Sequence, residues 1–319
     1  MLKNILLYLS QAEWARRLIA ERRIARRVAS RFVAGDTLGD AITAIGALNE
    51  KGLYGTLDQL GENVATREEA KAATDHYFTV FQRMHDVGLK TNASLKLTQM
   101  GLHLDFDMCL ANVERIIREA SRFGTFVRLD MEDAPTIDRT ILIYRTLKDK
   151  GIANVGLVVQ AYLYRSEEDM ATLLPEGCTF RLCKGAYREP ADIAHTRMRD
   201  INSAFDRLTK MLIDYAHANG AVPSESNGKI PPVASIATHD AARIEFAKQY
   251  ALQVGLPKQA LEFQMLHGIR SDLQVSLAKE GYPVRVYVPF GTEWYPYFFR
   301  RLAERPANLW LFLATFLRG

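Results

Sequence analysis

The chain is poor in cysteine. Its 319 residues hold three, Cys109, Cys178 and Cys183, an odd set that builds no disulfide framework. Their spacing suits no metal, and no CxxC, HxH or HxxxH occurs, so no metal site is expected. Such sparse cysteine fits a reducing cytosol. Cys178 and Cys183 flank an expected strand and read as buried apolar fillers. No apolar run reaches the ~20 residues that cross a bilayer. The run Ile5 to Leu9 is broken by Ser10-Gln11-Ala12-Glu13, too early for a secretory signal. Net charge is also scarce, at +4. Basic residues interleave with acids nearly everywhere, so no nucleic-acid partner is expected. Glycine fingerprints are missing too. Without GxGxxG any dinucleotide must be held in another way, and without GxSxG there is no hydrolase nucleophile elbow.

What is present is a rhythm of short apolar runs alternating with amphipathic stretches. Expected strands run over Gly55–Leu60, Ala93–Leu97, Phe126–Leu129, Val155–Val159, Thr179–Cys183, Val233–Ala237, Leu261–Leu266 and Val284–Val288. Helices follow each, among them Arg67–Val87, Met108–Phe123, Ile137–Lys150, Ser166–Leu174, Ile201–Asn219, Ile269–Lys279 and Trp294–Glu304. Apolar strands separated by helices argue a parallel sheet. Eight such units over roughly 250 residues match an α/β fold of the (β/α)8 TIM-like barrel type; an open doubly wound sheet is the alternative. Residues 1–54 read as an N-terminal helical section, and 55–319 as the barrel with a closing C-terminal helix. Ser224 to Lys229 reads as a mobile polar loop.

The active site of such a barrel lies where its strands end. Glu62, Lys96, Asp130, Glu132, Gln160, Arg181, Lys184, Thr238, His239 and Tyr287 fall there. Arg300 and Arg301 arrive from the last helix, where Tyr297, Arg300, Arg301 and Glu304 share a face. Adjacent guanidiniums repel unless an anion offsets them, and Arg binds a carboxylate as a planar fork. A mouth with this many cations suits a small carboxylate together with a phosphate-bearing cofactor. Lys184-Gly185-Ala186 suits the phosphate, because glycine admits close backbone approach and lysine adds charge. Lys96 lies in an apolar strand and must be paired or reach an opening, and strand parity decides which way it points. It, or Lys184, is also a candidate Schiff-base nucleophile, which gives a rival aldolase-type reading. His239 reads as a base, a hydrogen-bond donor or a strand-end cap. A non-catalytic binder of an amino acid or phosphorylated ligand is the third reading.

Several segments, in order, resemble the proline dehydrogenase family. They are Ser94-Leu95-Lys96-Leu97-Thr98, Leu129-Asp130-Met131-Glu132-Asp133, Arg181-Leu182-Cys183-Lys184-Gly185-Ala186-Tyr187, Ala237-Thr238-His239-Asp240, Glu262-Phe263-Gln264-Met265-Leu266 and Tyr297-Phe298-Phe299-Arg300-Arg301-Leu302-Ala303-Glu304. The likeness spans from about Gly35 onward and is closest to the stand-alone bacterial form; the length leaves no room for an aldehyde dehydrogenase domain. It implies a distorted (β/α)8 barrel that binds FAD and oxidises L-proline to Δ1-pyrroline-5-carboxylate, with a quinone or other membrane acceptor reoxidising the flavin. By resemblance, Arg300, Arg301 and Lys96 grip the carboxylate, and Tyr287 and Tyr297 pack the ring. Glu62 pairs with Arg300 and closes the site, and Asp130 orients the cations. Arg181 lies near flavin N5 and Gln160 near the ring's polar edge. Lys184, Gly185, Ala186, Thr238 and His239 line the FAD, and Met131 meets it through its backbone.

The section before Gly35 varies across this family. Arg16-Arg17, Arg22-Arg23 and Arg26-Arg27 beside Trp14, Leu18, Ile19 and Ile24 make a basic amphipathic helix. It suits peripheral contact with the anionic inner face of the cell membrane, or a solvated face of a helix packed on the barrel. Leu309 to Leu317 is too short to span a bilayer and reads as a terminal helix. A cytoplasmic location follows from these readings, and the oligomeric state is left open.

Overall fold

The computed structural model describes residues 29–304, with the side chains of Ala303 and Glu304 excepted. The expected basic helix, the Glu304 side chain and the run Leu309 to Leu317 therefore lie outside the described parts. The rest is an eight-stranded parallel barrel closed in sequence order. Its strands are β1 (Tyr54–Gln59), β2 (Thr91–Leu95), β3 (Val127–Leu129), β4 (Val155–Gln160), β5 (Phe180–Cys183), β6 (Ala234–Ala237), β7 (Leu261–Leu266) and β8 (Val284–Phe290). Helix α1 (Leu38–Asn49) precedes the barrel. Helices α2 (Arg67–Asp86), α3 (Phe106–Arg122), α4 (Ile137–Asp149), α5 (Ser166–Leu173), α6 (Met198–Ala218), α7 (Ala241–Val254), α8 (Ser271–Lys279) and α9 (Trp294–Glu304) each follow a strand.

Local chemistry sets these boundaries. Thr66 caps α2 by accepting the Glu69 N–H, and Glu68 and Glu69 sit in its first turn, where the helix dipole favours anions. Asp105 caps α3 in the same way through the Met108 N–H. Gly255, in the left-handed region at φ 80°, ends α7. The expected strand ends shift by at most two residues, and β7 matches its expected range. Lys96 stands one residue past β2, and Glu62 lies in the loop beyond β1.

Strand parity divides the molecule into two chemistries. Leu57, Leu95, Leu129, Leu157, Leu182, Phe263 and Val286 are buried in one core with the helices. Each such side chain contributes roughly 1.5–3 kcal/mol on burial. The alternate positions, Thr56, Asp58, Ser94, Arg128, Arg181, Ser235, Glu262 and Arg285, are buried and polar. They face the lumen, because bonds such as Arg181 to Ser94 join strands that are not neighbours. Barrel lumens are usually filled by branched apolar residues; this one is filled by hydrogen-bonded charge. Lys96 has the parity of Ser94 and points inward.

Two elements depart from a regular barrel. Helix α1 packs against β8 and β1. Helix α9 lies across the C-terminal mouth: its Arg300 meets Glu62, beyond β1, and Tyr187, beyond the opposite strand β5. Ala29, Phe32 and Val33 pack with Trp294, Phe298 and Leu302 in a second apolar cluster that seats this helix.

One expectation is refined and one fails. The polar loop Ser224 to Lys229 is tied to the barrel by hydrogen bonds. The Gly228 carbonyl accepts from Arg285 at 2.8 Å, Ser224 N–H donates to Gln259, and Lys229 reaches the Phe123 carbonyl. It closes the barrel floor because Arg285 needs those acceptors. Cys183 is only half-buried, since it is the last residue of β5 and its strand opens there; Cys178 is buried as expected.

Candidate active site

Asp130, at the end of β3, is the hub of the mouth. Its Oδ1 accepts from Arg181 at 2.9 Å and from Ser94 at 3.0 Å. Its Oδ2 accepts the Tyr287 hydroxyl at 2.8 Å and lies 3.6 Å from the Lys96 ammonium. Lys96 also donates to both oxygens of Asp58, at 3.1 and 3.0 Å, and to the Tyr287 hydroxyl at 3.3 Å. Burial disfavours the lysine charge, but Asp58, Asp130 and Glu62 outweigh it and raise its pKa. Burial likewise raises the Asp58 carboxyl against the pull of Lys96. The Tyr287 phenol is raised well above its usual value by burial and by Asp130 and Asp58, so it stays protonated. A Schiff-base lysine needs a lowered pKa. Lys96 is held as a cation, which removes it as an aldolase-type nucleophile.

Above this cluster sit the α9 residues. Arg300 is ion-paired with Glu62, and its guanidinium lies 5.9 Å from the Tyr187 ring. Burial raises the Glu62 carboxyl, but Arg300 overrides it and the pKa ends lowered. Among the described residues only Nη2 of Arg300 is engaged, so its other donors are open. Arg301 lies 5.1 Å over the Tyr297 ring, one helical turn earlier, and Tyr297 is itself buried.

A second arc of expected residues follows the ends of β4 to β6. Gln160 donates through Nε2 to the Glu132 carbonyl at 2.8 Å, with its Oε1 unengaged among the described residues; Met131 lies beside it. Lys184 bonds Asn202 at 2.6 Å and Asp240 at 2.7 Å. Gly185 has φ 108°, and a Cβ there would stand 2.1 Å from the Tyr162 ring, so only glycine fits. Ala186 is half-buried beside it. Thr238 accepts the Asp240 N–H at 3.1 Å, and His239 Nε2 accepts the Leu266 N–H at 2.9 Å. His239 thus acts as a strand-end cap, one of its three expected roles.

Arg181 joins the two groups. Its Nε donates to Gln264 at 2.6 Å and its Nη1 to Ser94 and Asp130, while Nη2 makes no bond among the described residues. The mouth therefore holds a cluster on β1, β2, β3 and β8 with two arginines nearby on α9, and beside it an arc with an unengaged guanidinium nitrogen, an amide oxygen and a lysine.

Asp58, Ser94, Gln264 and Tyr187 belong to this site and were not singled out from the sequence. Asp58 was findable: a carboxylate inside an apolar strand, at a lumen-facing parity, needs a cation as Lys96 needs an anion.

The proline dehydrogenase family profile matches residues 41–310. Proline dehydrogenase 1 of Bacillus subtilis subsp. natto is 38% identical over 308 residues, covering 97% of this chain and 96% of that protein. Proline dehydrogenase of Deinococcus radiodurans is 40% identical over 296 residues, covering 92% and 91%. Among solved structures, proline utilization A from Bdellovibrio bacteriovorus inactivated by N-propargylglycine matches with a TM-score of 0.77 at 23% identity. That match covers 88% of this chain and 33% of the longer protein, and shows the shared barrel.

Proposed function

The chain belongs to the proline dehydrogenase family and is an enzyme of proline catabolism, and we propose that it oxidises L-proline to Δ1-pyrroline-5-carboxylate with FAD at the barrel mouth. One observation carries this reading. Helix α9 brings Arg300 onto Glu62 beside the Lys96–Asp130–Tyr287 cluster, with Arg301 next to it, and Arg181 reaches the same cluster from β5.

The donor set fits a flavin. Arg181 Nη2 offers a charged donor, Gln160 Oε1 an acceptor, and Lys184 with the tight Gly185 turn a phosphate-sized cationic corner. When bound, FAD supplies the hydride acceptor at N5.

The chain's own residues supply position and charge. Arg300, Arg301 and Lys96 take the substrate carboxylate, and Tyr287 and Tyr297 flank the ring. Asp130 keeps Arg181, Lys96 and Tyr287 in one register. Hydride leaves the ring carbon next to nitrogen only when the nitrogen lone pair is free to assist. The site must therefore hold neutral amine in a fixed pose, where an error of about 1 Å costs ~100-fold in rate. Arg181, a fixed cation at the reaction centre, stabilises the negative charge that hydride transfer delivers. Glu62 and Arg300 close the mouth against water. The family resemblance supports a membrane quinone as the acceptor that would reoxidise the flavin.

An anaerobic absorbance spectrum of the purified protein tests this. A flavin spectrum that bleaches with L-proline, but not with D-proline or hydroxyproline, is expected. A flavin spectrum that proline leaves unchanged would overturn the substrate, and a colourless protein that takes up no FAD would overturn the cofactor as well.

A further inference from the structure

Glu62 sits on a short loop between two fixed points. Leu60 N–H donates to the Phe290 carbonyl at 2.8 Å, which ties the loop to β8. Asn63 N–H donates to the Thr98 hydroxyl at 3.2 Å, which ties it to the segment after β2. Asn63 is held at φ 53°, a conformation that a non-glycine residue keeps only when its surroundings impose it. Gly61 presses on Gln99, where a Cβ would stand 2.5 Å from the amide nitrogen. Glu62, the partner of Arg300, therefore inherits its position from Thr98.

Thr98 is fixed in turn by a carboxylate that the reaction does not use. Glu132 is 4% exposed and has no ion-pair partner among the described residues. Its Oε1 accepts the Thr98 N–H at 3.0 Å and its Oε2 accepts the Thr98 hydroxyl proton at 2.5 Å. A hydroxyl whose proton is committed to Glu132 turns its lone pairs away from it, toward the Asn63 N–H. The same residue's carbonyl accepts from Gln160. Glu132 thus touches both the anchor of the Glu62 loop and the residue read as lining the flavin edge.

We propose that Thr98 and Glu132 are positioning residues, a bracket that holds the Glu62 loop down so that Glu62 can close on Arg300 over the substrate. This rests on the assignment of the mouth to proline. The bracket acts on the population of closed loop and not on the hydride step, so it affects capture of substrate more than its conversion.

The test compares Thr98→Val, which keeps the shape and removes the hydroxyl, with Thr98→Ser, which restores the hydroxyl, in the full-length flavin-loaded protein. Hydrogen exchange is followed by mass spectrometry in a peptide spanning residues 60–66, and steady-state kinetics are run with L-proline. Losing one buried hydrogen bond corresponds to about a tenfold change. Thr98→Val is expected to exchange about tenfold faster in that peptide and to raise the proline KM about tenfold, with a smaller change in kcat. Thr98→Ser is expected to stay near the wild type in both. Wild-type exchange in Thr98→Val, or a serine variant as impaired as the valine one, would overturn the bracket. The exchange measurement needs no substrate. If the wild-type flavin fails to bleach with proline, the substrate reading falls and the exchange result alone decides the bracket.

Discussion

The floor and the mouth of this barrel are both filled with charge, yet they are built in opposite ways. On the floor Arg285 and Glu262 are completely buried and consume each other. Arg285 Nε and Nη2 donate to the two Glu262 oxygens at 2.8 and 2.9 Å, and Nη1 donates to the Gly55 and Gly228 carbonyls. Every nitrogen of Arg285 is engaged, and neither residue is exposed. At the mouth, among the described residues, the accounts stay open: Arg181 Nη2 is unengaged, Arg300 has one donor engaged among its five, and Glu132 has no cation. In the Arg285–Glu262 pair saturated charge holds the fold, although buried Arg128 nearby keeps an unpartnered Nη2, and at the mouth unsaturated charge is available to a substrate. The link between them is Gln264, which donates to Glu262 at 2.6 Å and accepts from Arg181 at 2.6 Å.

The floor should give the largest effect when broken. Arg285→Met leaves Glu262 buried without its partner, and such a loss costs roughly 3–5 kcal/mol. Urea unfolding should show that loss, while the remaining folded enzyme keeps a proline KM near the wild type. A variant of normal stability that cannot bind proline would reverse the assignment of floor to folding and mouth to function.

Glu132 gives the next effect. Burial pushes its carboxyl up to about 7 from an ordinary 4.5, against the two Thr98 hydrogen bonds that lower it. Between those two pH values the folded protein holds a proton that the unfolded chain has released, so this group makes stability fall as pH rises. The penalty is absent below about 4.5 and complete above about 7, on the order of 3 kcal/mol at most. Glu132→Gln removes the titration. Its unfolding free energy should therefore fall less between pH 5 and pH 8 than that of the wild type; equal slopes would mean that Glu132 ionises freely.

Arg301→Met probes the clamp directly. A charge-assisted bond lost to the carboxylate is worth about 1.5–3 kcal/mol, so KM should rise about tenfold to a hundredfold. Flavin content and urea midpoint should hold. An unchanged KM would take Arg301 out of the clamp and leave Arg300 and Lys96 to carry it.

Much of this was legible because the period-two and period-3.6 patterns are strong. Eight apolar runs, each followed by a helix, give the barrel, and the strand ends give its mouth. The missed residues share a physical cause. Asp58 lies inside β1, where strand parity flags it as needing a cation, but which cation it meets depends on the register that sets it beside Ser94. Ser94 and Gln264 are uncharged and gain meaning only from Arg181 reaching across the lumen. The floor loop at Ser224 to Lys229 looks mobile because its composition is polar; the buried arginine that needs its carbonyls comes from β8, far along the chain. Long-range hydrogen bonding is what the sequence pattern leaves out.

The smallest expected effect separates two lysines that the sequence treats alike. Lys96 is 7% exposed and enclosed by Asp58 and Asp130, so it reaches a substrate carboxylate as a cation already paired within the protein. Lys184 is 22% exposed and meets one carboxylate, Asp240, with Asn202 alongside. An ammonium has three donors, and two are engaged, so one is uncommitted among the described residues. If that donor meets an FAD phosphate, Lys184→Ala should weaken flavin retention about tenfold, the worth of one such bond at a half-open site. Protein dialysed at low concentration would then lose flavin, while KM for proline in the re-saturated enzyme stays near the wild type. Full flavin content after dialysis would make Lys184 a strand-end ion pair with Asp240 and nothing more. The cofactor's phosphates would then have to be held by backbone at Gly185 and Ala186, and the distinction between saturated and open charge would apply to Arg181 and the α9 arginines alone.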